Sequence, residues 1–333
     1  MKRLTAFLLS LLFAGALLFA EGQNESITLR LGHIRDTNSP THLASLKFKE
    51  LVEQSSNGRI QVKVFPNSQL GDPKAMFAQM QTGDLEMVYG GINTFAWIKG
   101  GEAYEITAMP FIYKNYECMR GALLSDFFKP IMQAAEKETG ITIVNIDGDT
   151  APRGLTADRP IRNADDFKGL KIRTAASPTV LTAMKSLGAL PQQIPFSDLY
   201  MALKTGVVNA QENGAIVVAD QHLYEVQKNY MRTDYIRDIE TFYMATPAWN
   251  KLSQSDRDLI YKATEEAGNY ETKLTQEKLE TVYGELSKNM SVITPDMASI
   301  RAKLTGAFDS FEGTKWPNGL LAKIADYQSA CTK

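Results

Sequence analysis

Between Ile27 and Tyr89 the chain switches back and forth between segments with a two-residue hydrophobic period and segments with helical spacing. That alternation narrows the fold more than any other feature. Ile27 to His33 alternates as a strand, and Pro40 to Ser55 follows as a helix with Leu43, Leu46, Phe48, Leu51 and Val52 on its apolar side. Asn57-Gly58 makes a turn, and Ile60 to Phe65 alternates again. Asp72 then caps a helix with Pro73 in its first turn and Met76, Phe77 and Met80 on its buried face. Gly83 ends that helix, and Leu85 to Tyr89 forms a short strand. Strands and helices in alternation imply α/β lobes. At about 100 to 200 residues per domain, 333 residues suggest two of them.

A quasi-repeat supports two similarly built lobes. MFAQMQTGDLEMVYGG (Met76 to Gly91) and LYMALKTGVVNAQENG (Leu199 to Gly214) each read as a helix ending in Thr-Gly and then a short strand. Similar lobes would bring the ends of these strands to a central crevice, where open α/β sheets bind ligands. Helix caps of this kind also recur by chance. From Asp256 to Met290 there is no proline, and Ile260, Ala263, Ala267, Tyr270, Leu274, Val282 and Leu286 follow steps of three and four. One or two long amphipathic helices are expected, with Ser255, Asp256 and Asp258 at the start. A coiled-coil dimer ranks lower, because the stripe is short and contains Gly268 and Gly284.

Lys2 and Arg3 precede an apolar run from Leu4 to Ala20, as in a secretory signal peptide, residues 1–20. The run is shorter than the roughly 20 apolar residues a membrane-spanning anchor prefers, although an uncleaved anchor is the rival reading. Removing Lys2 and Arg3 from the 36 basic residues leaves 34 against 38 acidic ones, a net charge of −4. A nucleic-acid-binding chain usually reads the other way. Cys118 and Cys331 show no metal or catalytic spacing. In an exported protein they form either one disulfide or two free thiols, and sequence leaves both open. His33, His42 and His222 are scattered, and Asp147-Gly148-Asp149 lacks the other ligands of a calcium loop. No metal site or cofactor is expected.

No nucleophile elbow, phosphate loop, dinucleotide fingerprint or zinc-protease motif occurs. The carboxylate pair Asp165-Asp166 sits where acids favour a helix start. The most informative region is RGLTADRPIRNADDFKGLKIRT, Arg153 to Thr174. Two arginines on adjacent strand ends make an anion site, because a guanidinium fork matches a carboxylate and a buried pair needs an anionic partner. Arg153 and Arg173 are the candidates. Arg159 and Arg162, beside Pro160 and the Asn163 cap, read as exposed loop residues.

Five blocks in order resemble the solute-binding proteins of TRAP transporters, the DctP family. They are SQLGD (Ser68 to Asp72), GxLxM (Gly83 to Met87), MPFIY (Met109 to Tyr113), RPIRNADDFKGLKIR (Arg159 to Arg173) and QEN (Gln211 to Asn213). FSDLYMALKTGVV and YEVQK extend the match over nearly all of the mature chain. The resemblance implies an α/β, two-lobed periplasmic binding protein (type II-like) with hinge strands, a helix spanning both lobes and a ligand cleft. It implies lobe I at residues 24–150 and 239–278 and lobe II at 151–238 and 279–333, with the C-terminal helix free to pack on lobe I. It further implies no catalysis, action as a monomer, and an organic-acid ligand handed to small and large membrane subunits driven by an ion gradient. In this family the arginine ending GLKIR, here Arg173, pairs with the substrate carboxylate, assisted by Arg153 and Asn213. His33, Asp72, Gly91 and Phe196 are the remaining cleft positions.

Where sugar-acid binders of the family tend to be polar, this chain has Ile34, Gly91 and Ala176. This points away from sialic acid and toward a short keto acid, an aromatic acid or a dicarboxylate. His33 and Asn93 keep a hydroxy acid or simple sugar acid open. QENG replaces the family's QENP at Gly214, a change that loosens the loop holding Asn213. Two rivals share such a cleft: an exported enzyme, which would need a nucleophile or an acid–base pair, and an exported sensory or adhesive receptor without a transport partner.

Overall fold

The computed structural model describes residues 26–332 and contains two mixed sheets. The first half of the chain runs β1 (Ile27–Gly32), α1 (Pro40–Ser55), β2 (Ile60–Phe65), α2 (Pro73–Thr82), β3 (Met87–Gly91), α3 (Tyr116–Leu123), α4 (Lys129–Thr139) and β4 (Ile141–Asp149). It continues through β5 (Arg153–Ala157), β6 (Lys171–Thr174), α5 (Pro178–Ser186), β7 (Leu190–Gln193), α6 (Leu199–Lys204), β8 (Ala210–Gly214), α7 (Ala215–Asp220) and β9 (Asn229–Ile236). Then come β10 (Ile239–Ala245), α8 (Thr246–Lys251), α9 (Gln254–Leu286), β11 (Ser291–Ile293), α10 (Met297–Lys303) and α11 (Leu320–Ala330). The leader expected at residues 1–20 lies outside the described residues.

The first sheet has the order β2-β1-β3-β10-β4 and the second β11-β9-β5-β8-β6-β7. In the first, β1 is parallel to β2 and β3, while β10 runs antiparallel between β3 and β4. In the second, β6 is parallel to β7 and β8, while β5 runs antiparallel between β8 and β9. The chain leaves the first sheet between β4 and β5 and returns between β9 and β10. Ala151, in the first of these crossings, is buried with φ of 62°.

Local chemistry accounts for the elements near the start. Ser39 accepts the amide of His42 to cap α1, and Asp72 accepts that of Ala75 to cap α2. Gly83 closes α2 in the left-handed conformation at φ 84°. The apolar side of α1 is narrower than expected. Phe48 and Val52 are buried with Ala44 and Ser45, but Leu43 and Leu46 are exposed, because the sheet accepts only one narrow stripe.

The long helix is a single element. Its cap is Ser253, two residues before the expected start. Ile260, Ala263 and Ala267 enter the core of the first sheet beside Leu29, Phe48 and Phe242. Val282 and Leu286 enter the core of the second beside Leu203, Val208 and Tyr230. Ile260, Val282 and Leu286 each contribute about 1.5–3 kcal/mol when fully buried, so α9 is anchored in both lobes. Between the anchors the buried face turns polar: Glu271 and Thr275 are buried, whereas the expected Tyr270 is exposed. Glu271 bonds Thr41 Oγ1 (2.8 Å) and the Tyr89 hydroxyl. Its face packs on β4 so closely that a Cβ on Gly268 would lie 1.8 Å from the Asp147 carbonyl oxygen.

Cys118 and Cys331 are joined as a disulfide, with Cα atoms 5.9 Å apart, which resolves the two alternatives. The bond ties α11 to α3, and Gln328 accepts the Lys114 amide and donates to the Cys118 carbonyl. The C-terminal helix therefore packs on α3, on the first sheet's side.

Candidate functional site

A cavity of about 190 Å³ lies between the sheets. Strand polarity explains its wall. The parallel strands β3, β6 and β8 present their C-terminal ends, and the antiparallel β5 and β10 present their N-terminal ends, so every contributing strand opens on the same side. The quasi-repeat falls into place here, with Gly90 and Gly91 of β3 across the cavity from Glu212 and Asn213 of β8. Four basic and four acidic side chains line the wall: Arg35, Lys74, Arg153 and Arg173 against Asp72, Glu212, Asp238 and Glu240.

The two arginines singled out from the sequence are placed on adjacent wall positions but in different electrostatic states. Arg153 donates from Nε to Glu212 Oε2 (2.7 Å), and from Nη2 to Glu212 Oε1 (2.8 Å) and to its carbonyl (2.9 Å). Tyr235 donates a further bond to the same carboxylate at 2.8 Å. Burial opposes the charge on Arg153, but Glu212 overrides it and holds the guanidinium above its ordinary range. Arg173 is 3% exposed, and its Nε donates to the Ile194 carbonyl at 2.8 Å. Among the described residues no carboxylate forms an ion pair with it. Burial, with Arg153 nearby and Glu212 only partly compensating, lowers it to about 10. It stays a cation at neutral pH, and among the described residues its Nη groups have no acceptor. Arg159 and Arg162 are exposed loop residues.

Phe196 supports this cation. The guanidinium carbons of Arg173 and Arg35 each lie 5.9 Å from its ring centroid. Asn213 is oriented by a buried chain: its Nδ2 donates to Gln211 Oε1 (2.6 Å), Gln211 donates to Thr156 Oγ1 (3.0 Å), and Thr156 donates to Gln227 Oε1 (3.0 Å). Its Oδ1 is left for a partner in the cavity.

Asp72, Gly91 and Asn93 also line the wall. Asp72 is exposed at the rim and is engaged as the cap of α2. At Gly91 a Cβ would come 2.2 Å from Asp238 Oδ2, so a side chain there would have to displace the Asp238 carboxyl. His33 is a correction: it does not line the cavity. Its ring turns beneath α1, with Nε2 3.0 Å from His42 Nδ1, and its Nδ1 accepts the Arg35 amide at 3.2 Å. Its neighbours Ile34 and Arg35 face the cavity instead.

Sequence reasoning missed Arg35, Trp97, Glu212, Asp238 and Glu240. Glu212 sits in the QEN block itself, and the i, i+2 spacing of Asp238 and Glu240 ahead of an apolar strand places both on one face. Those two signals were available. Nothing local marks Trp97.

A family model described as bacterial extracellular solute-binding protein, family 7 (DctP) matches residues 31–313. The chain is 29% identical to the sialic acid-binding periplasmic protein SiaP of Vibrio cholerae over 88% of its own length and 91% of that protein's. It is 30% identical to the C4-dicarboxylate-binding periplasmic protein DctP of Rhodobacter capsulatus, covering 77% and 76%. A crystal structure of a TRAP periplasmic solute-binding protein from Roseobacter denitrificans with bound L-galactonate superposes with a TM-score of 0.81 at 30% identity, covering 86% of this chain and 94% of that one. With its two lobes, its cleft between sheets and a family match over most of its length, the chain belongs to family 7 of the bacterial extracellular solute-binding proteins, the TRAP-transporter receptors.

Proposed function

We propose that this chain is an exported receptor that captures an organic carboxylate on Arg173 and delivers it to an ion-gradient-driven TRAP membrane transporter. The observation that carries the reading is the pairing difference between the two buried arginines: Glu212 neutralises Arg153, and Arg173 has no carboxylate of its own. A buried unpaired charge is costly, and a bidentate ligand carboxylate offsets that cost. Arg153 keeps Glu212 from taking Arg173, while Asn213, Asp72, Asn93 and Phe196 complete the contacts. The ligand shifts an open-to-closed equilibrium only by its differential affinity, so contacts from both sheets are required. Lobe I comprises residues 24–150 and 239–278 and lobe II residues 151–238 and 279–333, with α9 crossing between them and the C-terminal helix packing on lobe I. The receptor acts in the periplasm as a monomer, binds without transforming its ligand and needs no cofactor. Small and large membrane subunits receive the ligand.

The test is calorimetric titration of the mature, ligand-stripped protein with a panel of organic acids, alongside Arg173→Ala. At 100 times its dissociation constant, a bound acid adds about 2.7 kcal/mol of stability. At least one acid is expected to bind, and Arg173→Ala is expected to weaken it by about 100-fold or more. Equal binding by the variant overturns the anchor, and absence of binding by every carboxylate overturns the receptor reading.

A further inference from the structure

Resting on the receptor reading above, we propose that Asp238 and Glu240 select a carboxylate that carries hydroxyl groups and reject one that carries a second carboxylate. Both acids come from the first sheet's side of the cavity, whereas Arg153 and Arg173 come from the second. Glu240 is 1% exposed, and its Oε1 takes both bonds from Arg35, from Nε and Nη2 at 3.1 Å each. Its Oε2 is buried with no hydrogen-bond partner. Asp238 has the same asymmetry: Oδ1 accepts the amides of Asn93 (3.3 Å) and Ile239 (3.0 Å), and among the described residues Oδ2 has no donor. Two acceptor oxygens on the wall therefore call for donors.

Trp97, also on the wall, adds the opposite demand. Its Nε1 is a buried donor without an acceptor. A hydroxyl both donates and accepts, so a polyhydroxylated chain serves Glu240, Asp238 and Trp97 together. A second carboxylate would serve Trp97 alone and would face two acids. Arg35 and Arg153 are already bonded to Glu240 and Glu212, so no buried guanidinium remains to neutralise it, and the fourth wall cation, Lys74, is solvent-exposed, where an ion pair is worth little. An ammonium group would satisfy the acids but leave the indole N–H unpaired.

Gly91 then has a different meaning from the one its sequence position suggests. The wall is not short of polar groups there, because the Asp238 carboxyl fills the space a side chain at position 91 would take.

The experiment titrates the wild-type protein at pH 8, where Asp238, raised to about 7, is ionised, with three matched series of four to six carbons: aldonates, α,ω-dicarboxylates and ω-amino acids. Unsubstituted fatty acids of the same lengths serve as a fourth. The tightest aldonate is expected to bind about 100-fold better than the dicarboxylate of its length. Asp238→Asn with Glu240→Gln is expected to narrow that ratio by about 10-fold or more, mainly by gain for the dicarboxylate. Circular dichroism establishes that the double variant is folded, and if it is not, the wild-type ranking alone decides. A dicarboxylate, ω-amino acid or fatty acid that binds as well as the aldonate overturns the proposal while leaving the receptor reading intact, as does an unchanged ratio in the folded variant. Failure of all four series overturns this proposal, and failure of the wider acid panel overturns the receptor reading as well.

Discussion

Burying the His33 ring beneath α1, with the nearby charges of His42 and Arg35 adding to the effect, lowers it to about 3 from an ordinary 6.5. The unfolded chain takes up this proton below pH 6.5 and the folded chain does not. The stability tied to His33 is therefore present above 6.5 and is lost as pH falls toward 3. Asp238 behaves oppositely. Burial, reinforced by Glu240 and opposed by Arg153 and Arg35, raises it from 3.8 to about 7. Its contribution is full below 3.8 and is lost as pH rises through 7. Denaturant unfolding between pH 4 and 8 separates the two when each variant is compared with the wild type, which removes the other buried acids from the comparison. His33→Gln is expected to gain on the wild type as pH falls below 6.5, and Asp238→Asn to gain as pH rises from 4 to 7, each by up to about 1.4 kcal/mol per pH unit. Flat difference curves would mean that neither group is held in its buried state.

At the scale of elements, α9 shows both what sequence reveals and where it stops. The bounds of α1 and β2 follow from Pro40, the Ser39 cap and the Asn57-Gly58 turn, all of them local signals. The ends of α9 follow the expected stripe for the same reason. Its middle does not, because Glu271 and Thr275 are buried by partners remote in sequence, Thr41 and Tyr89 among them, and periodicity records only apolar residues. The site divides along the same line. Arg153 and Arg173 stand out in one contiguous stretch, but the ion pair that distinguishes them depends on β8 lying against β5. Asp238 and Glu240 read as a polar strand entry until β10 is placed between β3 and β4. Gly268 tests the packing of α9 directly. Gly268→Ala would improve helix propensity in isolation, but its methyl group meets the Asp147 carbonyl. A net loss of about 1–3 kcal/mol is expected by denaturant titration, and a gain would show that α9 can lift from β4 at little cost.

For the whole molecule, four continuous links join the lobes: the β4–β5 crossing, the β9–β10 crossing, α9, and the segment running from β11 and α10 on the second sheet's side to α11 on the first. The Cys118–Cys331 bond secures the last of these, because it ties α11 to α3 on the first sheet's side while α10 stays bonded to the Arg162–Ala164 segment of the second. The balance of four acidic against four basic side chains around the cavity has a kinetic consequence. The net charge, −2 for the full chain and −4 without Lys2 and Arg3, is also small, so an anion arriving from bulk solution meets neither a funnel nor a barrier until it is within contact distance of Arg173. Stopped-flow association of a bound carboxylate is expected to change by less than about threefold between 10 and 200 mM salt, in contrast to the steep salt dependence of electrostatically steered capture. A steep fall in rate would reveal a long-range attractive field that the wall charges do not supply. With a flat profile, the receptor would load at the same pace in dilute and in saline surroundings, and scarcity of the ligand, not the ionic medium, would set how fast it fills.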